Sequence, residues 1–61
     1  MLAKNMIERV VKKVVCQDRL LTRNQAARKA ALILEKKGIN VYSYPYYEDI
    51  FFSCLDKEFP A

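Results

Sequence analysis

The residues of this chain that could carry out chemistry are few, and histidine is not among them. Without His, the chain lacks the Ser–His or Cys–His pair that commonly activates a nucleophile. Ser43 and Ser53 have no evident base, and with one glycine in the chain there is no glycine-rich phosphate loop. The sequence therefore predicts a protein that is not an enzyme and has no small-molecule substrate.

The two cysteines, Cys16 and Cys54, are the remaining candidates for a reactive or metal-binding group. Cys16 lies about one helical turn after Lys12 and Lys13, where a thiolate is favoured, but structural cysteines are inert by default and we favour that interpretation. No Cys-x-x-Cys and no carboxylate loop is present, so no metal or other cofactor is expected. Residues 1–15 lack the apolar core of a signal peptide, which predicts a cytoplasmic protein with free thiols. Whether the two cysteines approach each other stays open.

Charge is distributed unevenly along the chain, whose net charge is +4. Residues 1–38 hold ten basic and three acidic residues, whereas residues 39–61 hold one basic and four acidic residues. Such asymmetry is typical of chains that bind nucleic acid or an acidic partner. The alternative is a basic surface that only keeps the chain soluble, or one that meets the acidic segment. The candidate nucleic-acid-binding residues are Arg9, Lys12, Lys13, Arg23, Arg28, Lys29, Lys36 and Lys37.

Six aromatic residues are concentrated between positions 42 and 52, within the acidic part of the chain. Their acidic surroundings argue against nucleic acid at this place. Tyrosines anchor protein interfaces, but they also cap small cores with their hydroxyls at the edge, and both interpretations stay open. Together with the apolar positions of the first helix, they give the candidate protein-interface residues Ile7, Val10, Val11, Val14, Tyr44, Tyr46, Tyr47 and Phe52.

The first element that must position these residues is a helix over about 2–16. Its apolar residues come in pairs every four positions, a spacing that fits a helix and not a strand. A subset at Ala3, Ile7, Val10 and Val14 follows the 4-3-4 spacing of one helical face. The apolar stripe is wide enough for two neighbours, one within the chain and one from a second chain, which predicts a homo-oligomer.

The second helix, over about 23–37, has the clearest local signals. Thr22 is a good N-cap residue, and Gln25 stands three positions later, as in a capping box. Gly38 follows the last helical residue, where a left-handed C-cap needs glycine. Four alanines between positions 26 and 31 form a face that another helix can approach closely.

The C-terminal third is the most ambiguous part. Residues 39–44 are expected to be extended, and Pro45 can begin a third helix over about 45–58, with Glu48 and Asp49 at its positive end. The alternative is a β-hairpin that pairs 39–44 with 50–54, because apolar residues alternate in the second of these segments. We favour the helix.

The chain is therefore predicted to be a single domain over 1–61 with an all-α fold. A helical hairpin (about 2–16 and 23–37) is followed by an extended segment and a short third helix (about 45–58); an α+β fold with a C-terminal β-hairpin is the alternative. No stretch reaches the roughly 20 apolar residues that cross a membrane.

For function we predict a small non-catalytic protein-interaction module that acts as a homo-oligomer and modulates or inhibits a larger partner. A nucleic-acid-binding regulatory protein that uses the basic face of residues 1–38 is the alternative. Phages and plasmids commonly encode small accessory proteins of this size, and by analogy this chain is compared with them.

Overall fold

A computed structural model describes residues 3–60 of the chain. It contains three α-helices: α1 (Ala3–Gln17), α2 (Arg23–Lys36) and α3 (Pro45–Glu58). The described residues contain no strand, so the all-α prediction is confirmed and the β-hairpin alternative is not supported. The observed bounds differ from the expected ones by one residue at the end of α1 and of α2. Leu2, the expected first residue of α1, lies outside the described residues.

Helix α1 is the element on which the other two pack. It contacts both α3 and α2, whereas the contact between α2 and α3 is much smaller. Ile7, Val10, Val11 and Val14 are its buried residues, and their spacing places them on one broad helical face. The wide apolar stripe that the sequence shows is therefore covered by two helices of the same chain.

The N-terminus of α2 is closed by a capping box, as predicted. The Thr22 hydroxyl accepts a hydrogen bond from the Gln25 backbone N–H at 3.2 Å, and Gln25 Oε1 accepts one from the Thr22 backbone N–H at 3.0 Å. Each bond satisfies a donor that the first turn of a helix leaves unpaired. Two local side chains thus fix the point at which α2 begins.

The C-terminus of α2 ends in a Schellman motif centred on Gly38, which has a φ of +90°. The Gly38 N–H donates to the Glu35 carbonyl at 3.0 Å, and the Ile39 N–H donates to the Leu34 carbonyl at 2.9 Å. Ile39 and Leu34 are both buried, which supplies the apolar contact that accompanies this motif. The predicted glycine cap is confirmed.

The connection between α2 and α3 turns more sharply than an extended segment would. Asn40 Oδ1 accepts a hydrogen bond from the Tyr42 N–H at 3.0 Å, and the Asn40 carbonyl accepts one from the Ser43 N–H at 3.2 Å. An Asn side chain that bonds to the backbone two residues later favours a turn at this point. Residues 41–43 thus form a turn, whereas Tyr44, which precedes Pro45, has the extended geometry that the proline favours.

The core lies where α3 and this connection meet α1. Phe51, Cys54 and Leu55 are the buried residues of α3, and Val41 in the connection is buried beside them. The alanine face of α2 is also buried, at positions 26, 27 and 30. The apolar residues on these inward faces are thus buried together in one core within the chain.

Candidate binding surfaces

Three of the predicted basic residues surround one groove. Arg9 and Lys13 on α1 and Lys37 at the end of α2 line a cavity of ≈ 380 Å³, which Met6 and Val10 also line. All three cationic side chains are exposed. The hairpin of α1 and α2 therefore brings together charges that are more than twenty residues apart in the sequence.

Lys29 and Lys36 are a further pair of exposed cations, on α2. Seven residues are nearly two helical turns, so these lysines project within about 20° of each other. They lie on the flank of α2 opposite to Arg28 and Glu35, which line a different groove. We name the five exposed cations the basic surface; its members are Arg9, Lys13, Lys29, Lys36 and Lys37.

Among the described residues, the basic surface has no acidic member. Glu8 lines the grooves between α1 and α3, on the other side of α1. Glu35 lies on the opposite flank of α2. The Asp18 carboxylate accepts a hydrogen bond from the Leu20 N–H at 3.0 Å, within the connection between α1 and α2. The positive charge of the basic surface is thus uncompensated within this part of the chain.

The other three predicted nucleic-acid-binding residues lie elsewhere. Lys12 lines a groove against α3, next to Glu8 and Glu58. Arg28 lies on the opposite flank of α2 from Lys29 and Lys36.

Arg23 is engaged within the chain. Its guanidinium forms an ion pair with Asp56 at 2.6 Å and lies 5.8 Å from the centre of the Phe52 ring. Together these contacts link the start of α2 to the end of α3, and they occupy Arg23 with an internal partner.

The predicted protein-interface residues fall into two groups. Ile7, Val10, Val11 and Val14 are buried in the core, so they offer no exposed surface to a second chain. The aromatic members lie on or near the surface. Tyr44 and Tyr46 are 60% and 65% exposed, while Tyr47 and Phe52 are half-buried.

The exposed tyrosines form a cluster at the start of α3. The ring centroids of Tyr44 and Tyr47 lie 5.3 Å apart with an edge-to-face tilt of 72°, and those of Tyr46 and Tyr47 lie 6.0 Å apart. Glu48 and Asp49 follow directly in the helix. We name Tyr44, Tyr46 and Tyr47 the tyrosine cluster; two of its rings are exposed, the ring of Tyr47 is half-buried, and negative charge follows it directly.

Sequence reasoning missed one surface, which we name the Leu32 groove. It has a volume of ≈ 360 Å³ and is lined by Ala31, Leu32, Val41 and Tyr42, with Arg28 and Glu35 beside them on α2. Leu32 and Tyr42 are 60% and 56% exposed. The available signal was the position of Leu32, which lies on the side of α2 opposite to the buried alanines.

The two cysteines are free and differ in environment. Cys16 is exposed at the end of α1, and Cys54 is buried in the core. Burial raises the pKa of the Cys54 thiol above its ordinary value, and the negative charge of Glu8 adds to this effect. Within residues 3–60, no three His, Cys, Asp or Glu side chains are grouped so that they could hold a metal ion. No helix in that range is long and apolar enough to cross a membrane.

Comparisons with models of protein families, with curated proteins and with solved structures found no match to this chain.

Proposed function

We propose that this chain is a small non-catalytic binding protein whose basic surface binds the phosphate backbone of nucleic acid. The observation that carries this proposal is the groove between α1 and α2 that three exposed cations line, together with the exposed pair Lys29 and Lys36 on α2. Lys and Arg side chains bind phosphates without reading sequence, so this surface supports backbone contacts.

The expected strength follows from the number of charges. Five phosphate contacts on duplex DNA give a slope of about −4 to −5 in a plot of log binding constant against log salt concentration. Affinity should then fall roughly 500-fold between about 50 and about 200 mM salt. A basic surface with no nucleic-acid role would show neither saturable binding nor a slope of this size.

A pair of matched variants tests the proposal. In Lys29→Gln/Lys36→Gln, two members of the basic surface are neutral, and we expect weaker binding and a slope reduced by about two. Lys4→Gln/Lys57→Gln has the same net charge, but its two positions line a groove between α1 and α3. Fluorescence anisotropy with a labelled duplex of random sequence, titrated at several salt concentrations, measures both effects.

The proposal fails if the wild-type chain does not bind the duplex at low salt. It also fails if both double variants lose affinity equally, because the effect would then come from net charge and not from one surface. Circular dichroism of each variant shows whether it is folded, and all four positions are exposed.

A second candidate function is a protein-interaction module that modulates or inhibits a larger partner. It is favoured by the tyrosine cluster, whose exposed rings lie beside Glu48 and Asp49. Tyrosine is enriched in the energetically important centres of interfaces, and negative charge at the rim favours a basic partner. The partner segment expected here is one rich in Lys and Arg.

This second candidate is tested with tagged protein in a nuclease-treated lysate. A captured protein should be lost from Tyr44→Ser/Tyr46→Ser and kept by Leu20→Ser, because Leu20 is an exposed apolar residue in a different connection. If both variants lose the captured protein to the same extent, or if nuclease treatment abolishes its capture, the tyrosine cluster is not the interface.

We also propose that the protein works in a reducing compartment, the cytoplasm. Its two cysteines are unpaired, and free thiols persist where glutathione and thioredoxin keep them reduced.

A further inference from the structure

The Leu32 groove combines apolar exposure with two charges of opposite sign. Leu32 projects from α2 beside the smaller Ala31, and Tyr42 from the connection closes the other side. Arg28 lies one turn before Leu32 and Glu35 lies about one turn after it. The groove is thus an apolar centre with a positive end and a negative end along the same helix.

This arrangement is complementary to itself. The midpoint between Arg28 and Glu35 falls between Ala31 and Leu32. If two copies of α2 lie antiparallel about a two-fold axis at that midpoint, Arg28 of each copy faces Glu35 of the other. The same axis places Leu32 of each copy beside Leu32 of the other, at the centre of the contact, because corresponding sides of the two helices stay together.

We infer that two copies of this chain associate through the Leu32 groove, with their α2 helices antiparallel. An interface with two-fold symmetry requires a surface that matches itself, and the order Arg28, Leu32, Glu35 meets that requirement. The occupant is therefore a second copy of the chain.

Both charges are available for such pairing. Among the described residues, the one ion pair formed is Arg23–Asp56, so neither Arg28 nor Glu35 has an opposite charge in contact. Both side chains are exposed. A domain of this size buries a limited fraction of its surface on folding, and association is a common way in which small domains gain further burial.

The association does not depend on what the basic surface binds. It rests on the flank of α2 that carries Arg28 and Glu35, whereas Lys29 and Lys36 lie on the opposite flank. Failure of nucleic-acid binding would leave this inference unchanged, and a monomeric chain would leave the phosphate contacts of a single copy unchanged.

Charge-swapped variants of the full chain test the inference by sedimentation equilibrium. The wild type should show a monomer–dimer equilibrium between about 5 and about 500 µM, the range of weak to moderate small interfaces. Arg28→Glu and Glu35→Arg each place like charges at both contacts, and each should weaken association at least about tenfold. Mixed in equal amounts, the two variants should associate with nearly wild-type affinity, because one native and one reversed pair form in the mixed dimer.

A matched pair of leucine variants tests the apolar centre. Leu32→Asp should abolish association, whereas Leu20→Asp should leave it unchanged, since Leu20 is 94% exposed and lies outside the groove. A wild-type chain that stays monomeric at the highest concentration would overturn the inference. So would a dimer that neither single charge variant weakens, or a mixture of the two variants that does not associate.

Discussion

Cys54 is a thiol inside an apolar core, and its chemistry should differ from that of Cys16. It packs on the inward face of α3, and its raised pKa keeps it protonated at neutral pH. The thiolate is the reactive form of cysteine, and a buried thiol is also shielded from reagents.

A thiol reagent should therefore modify one cysteine of the folded chain quickly and the other slowly. We expect Cys16 to react within the dead time of manual mixing, and Cys54 to react only as the chain opens. Ellman's reagent, followed by absorbance with and without denaturant, measures the two phases. Cys16→Ala should remove the fast phase alone; a Cys54 that reacts quickly in native buffer would contradict its burial.

The raised pKa of Cys54 also predicts a dependence of stability on pH. In the unfolded chain the thiol loses its proton near its ordinary value of 9.0, before the folded chain does. Stability from this group is thus fully present below that pH and is lost as the pH rises towards the pKa of the folded state. Urea midpoints measured at neutral pH and at about pH 10 should show a smaller alkaline loss in Cys54→Ala than in Cys16→Ala.

At the scale of single elements, the two ends of α2 are fixed by residues that are close in sequence. The capping box of Thr22 and Gln25 and the left-handed Gly38 each satisfy backbone groups that the helix leaves unpaired. Such contacts act on the helix directly, so their loss should lower stability without changing the core.

We predict that Gly38→Ala lowers the free energy of unfolding by about 1 to 2 kcal/mol, because alanine is disfavoured at a φ of +90°. No atom lies within 4 Å of the added Cβ, so the cost comes from the backbone alone. Gly38→Asn, which tolerates this geometry better, should lose less. Urea unfolding measures both; equal losses would indicate steric or packing effects instead of backbone strain.

The caps of α2 could be predicted from the sequence because each depends on residues within a few positions. Other features could not. The sequence shows that the apolar stripe of α1 is wide. It does not show that α3 of the same chain packs on the part of the stripe that contains Val11. The Leu32 groove was also missed, because its far wall is Tyr42, whose position depends on the turn at Asn40. Local signals specify where helices begin and end, whereas surfaces depend on how distant segments meet.

At the scale of the whole molecule, the core is small and each large residue in it matters. Phe51 is 0% exposed and packs edge to face with Tyr42 at 6.1 Å between ring centroids. Domains have roughly 0.05 to 0.15 kcal/mol of stability per residue, which places a chain of this length near the lower limit of stable folding. The free-energy cost of a single large cavity in the core should therefore approach the whole free energy of unfolding.

We predict that Phe51→Ala removes about 3 to 5 kcal/mol and with it the cooperative thermal transition. Tyr46→Ala, at an aromatic position that is mostly exposed, should change the free energy of unfolding by less than about 0.5 kcal/mol. Thermal unfolding followed by circular dichroism distinguishes the two. A Phe51→Ala protein that still melts cooperatively at a similar temperature would show that the stability of the fold depends less on the Phe51 ring than we predict.

The proposed association would also affect the basic surface. A two-fold axis perpendicular to the paired α2 helices keeps corresponding sides of the two copies together. Lys29 and Lys36 of both copies would then lie on the same side of the dimer, where they could contact one stretch of phosphate backbone. Cooperative binding of two copies is the expected sign of this arrangement.

The position of α1 between the other two helices has a consequence for a chain that has been cut. Because α3 packs mainly on α1 and only slightly on α2, its contacts do not require an unbroken peptide at Asn40–Ser43. A nick between the exposed residues Tyr42 and Ser43, which leaves the buried Val41 in place, should leave the helices together. Two separately made fragments, 1–42 and 43–61, should then find each other and restore the fold. The molecule is thus suited to splitting into a reporter pair whose halves regain structure only when they meet.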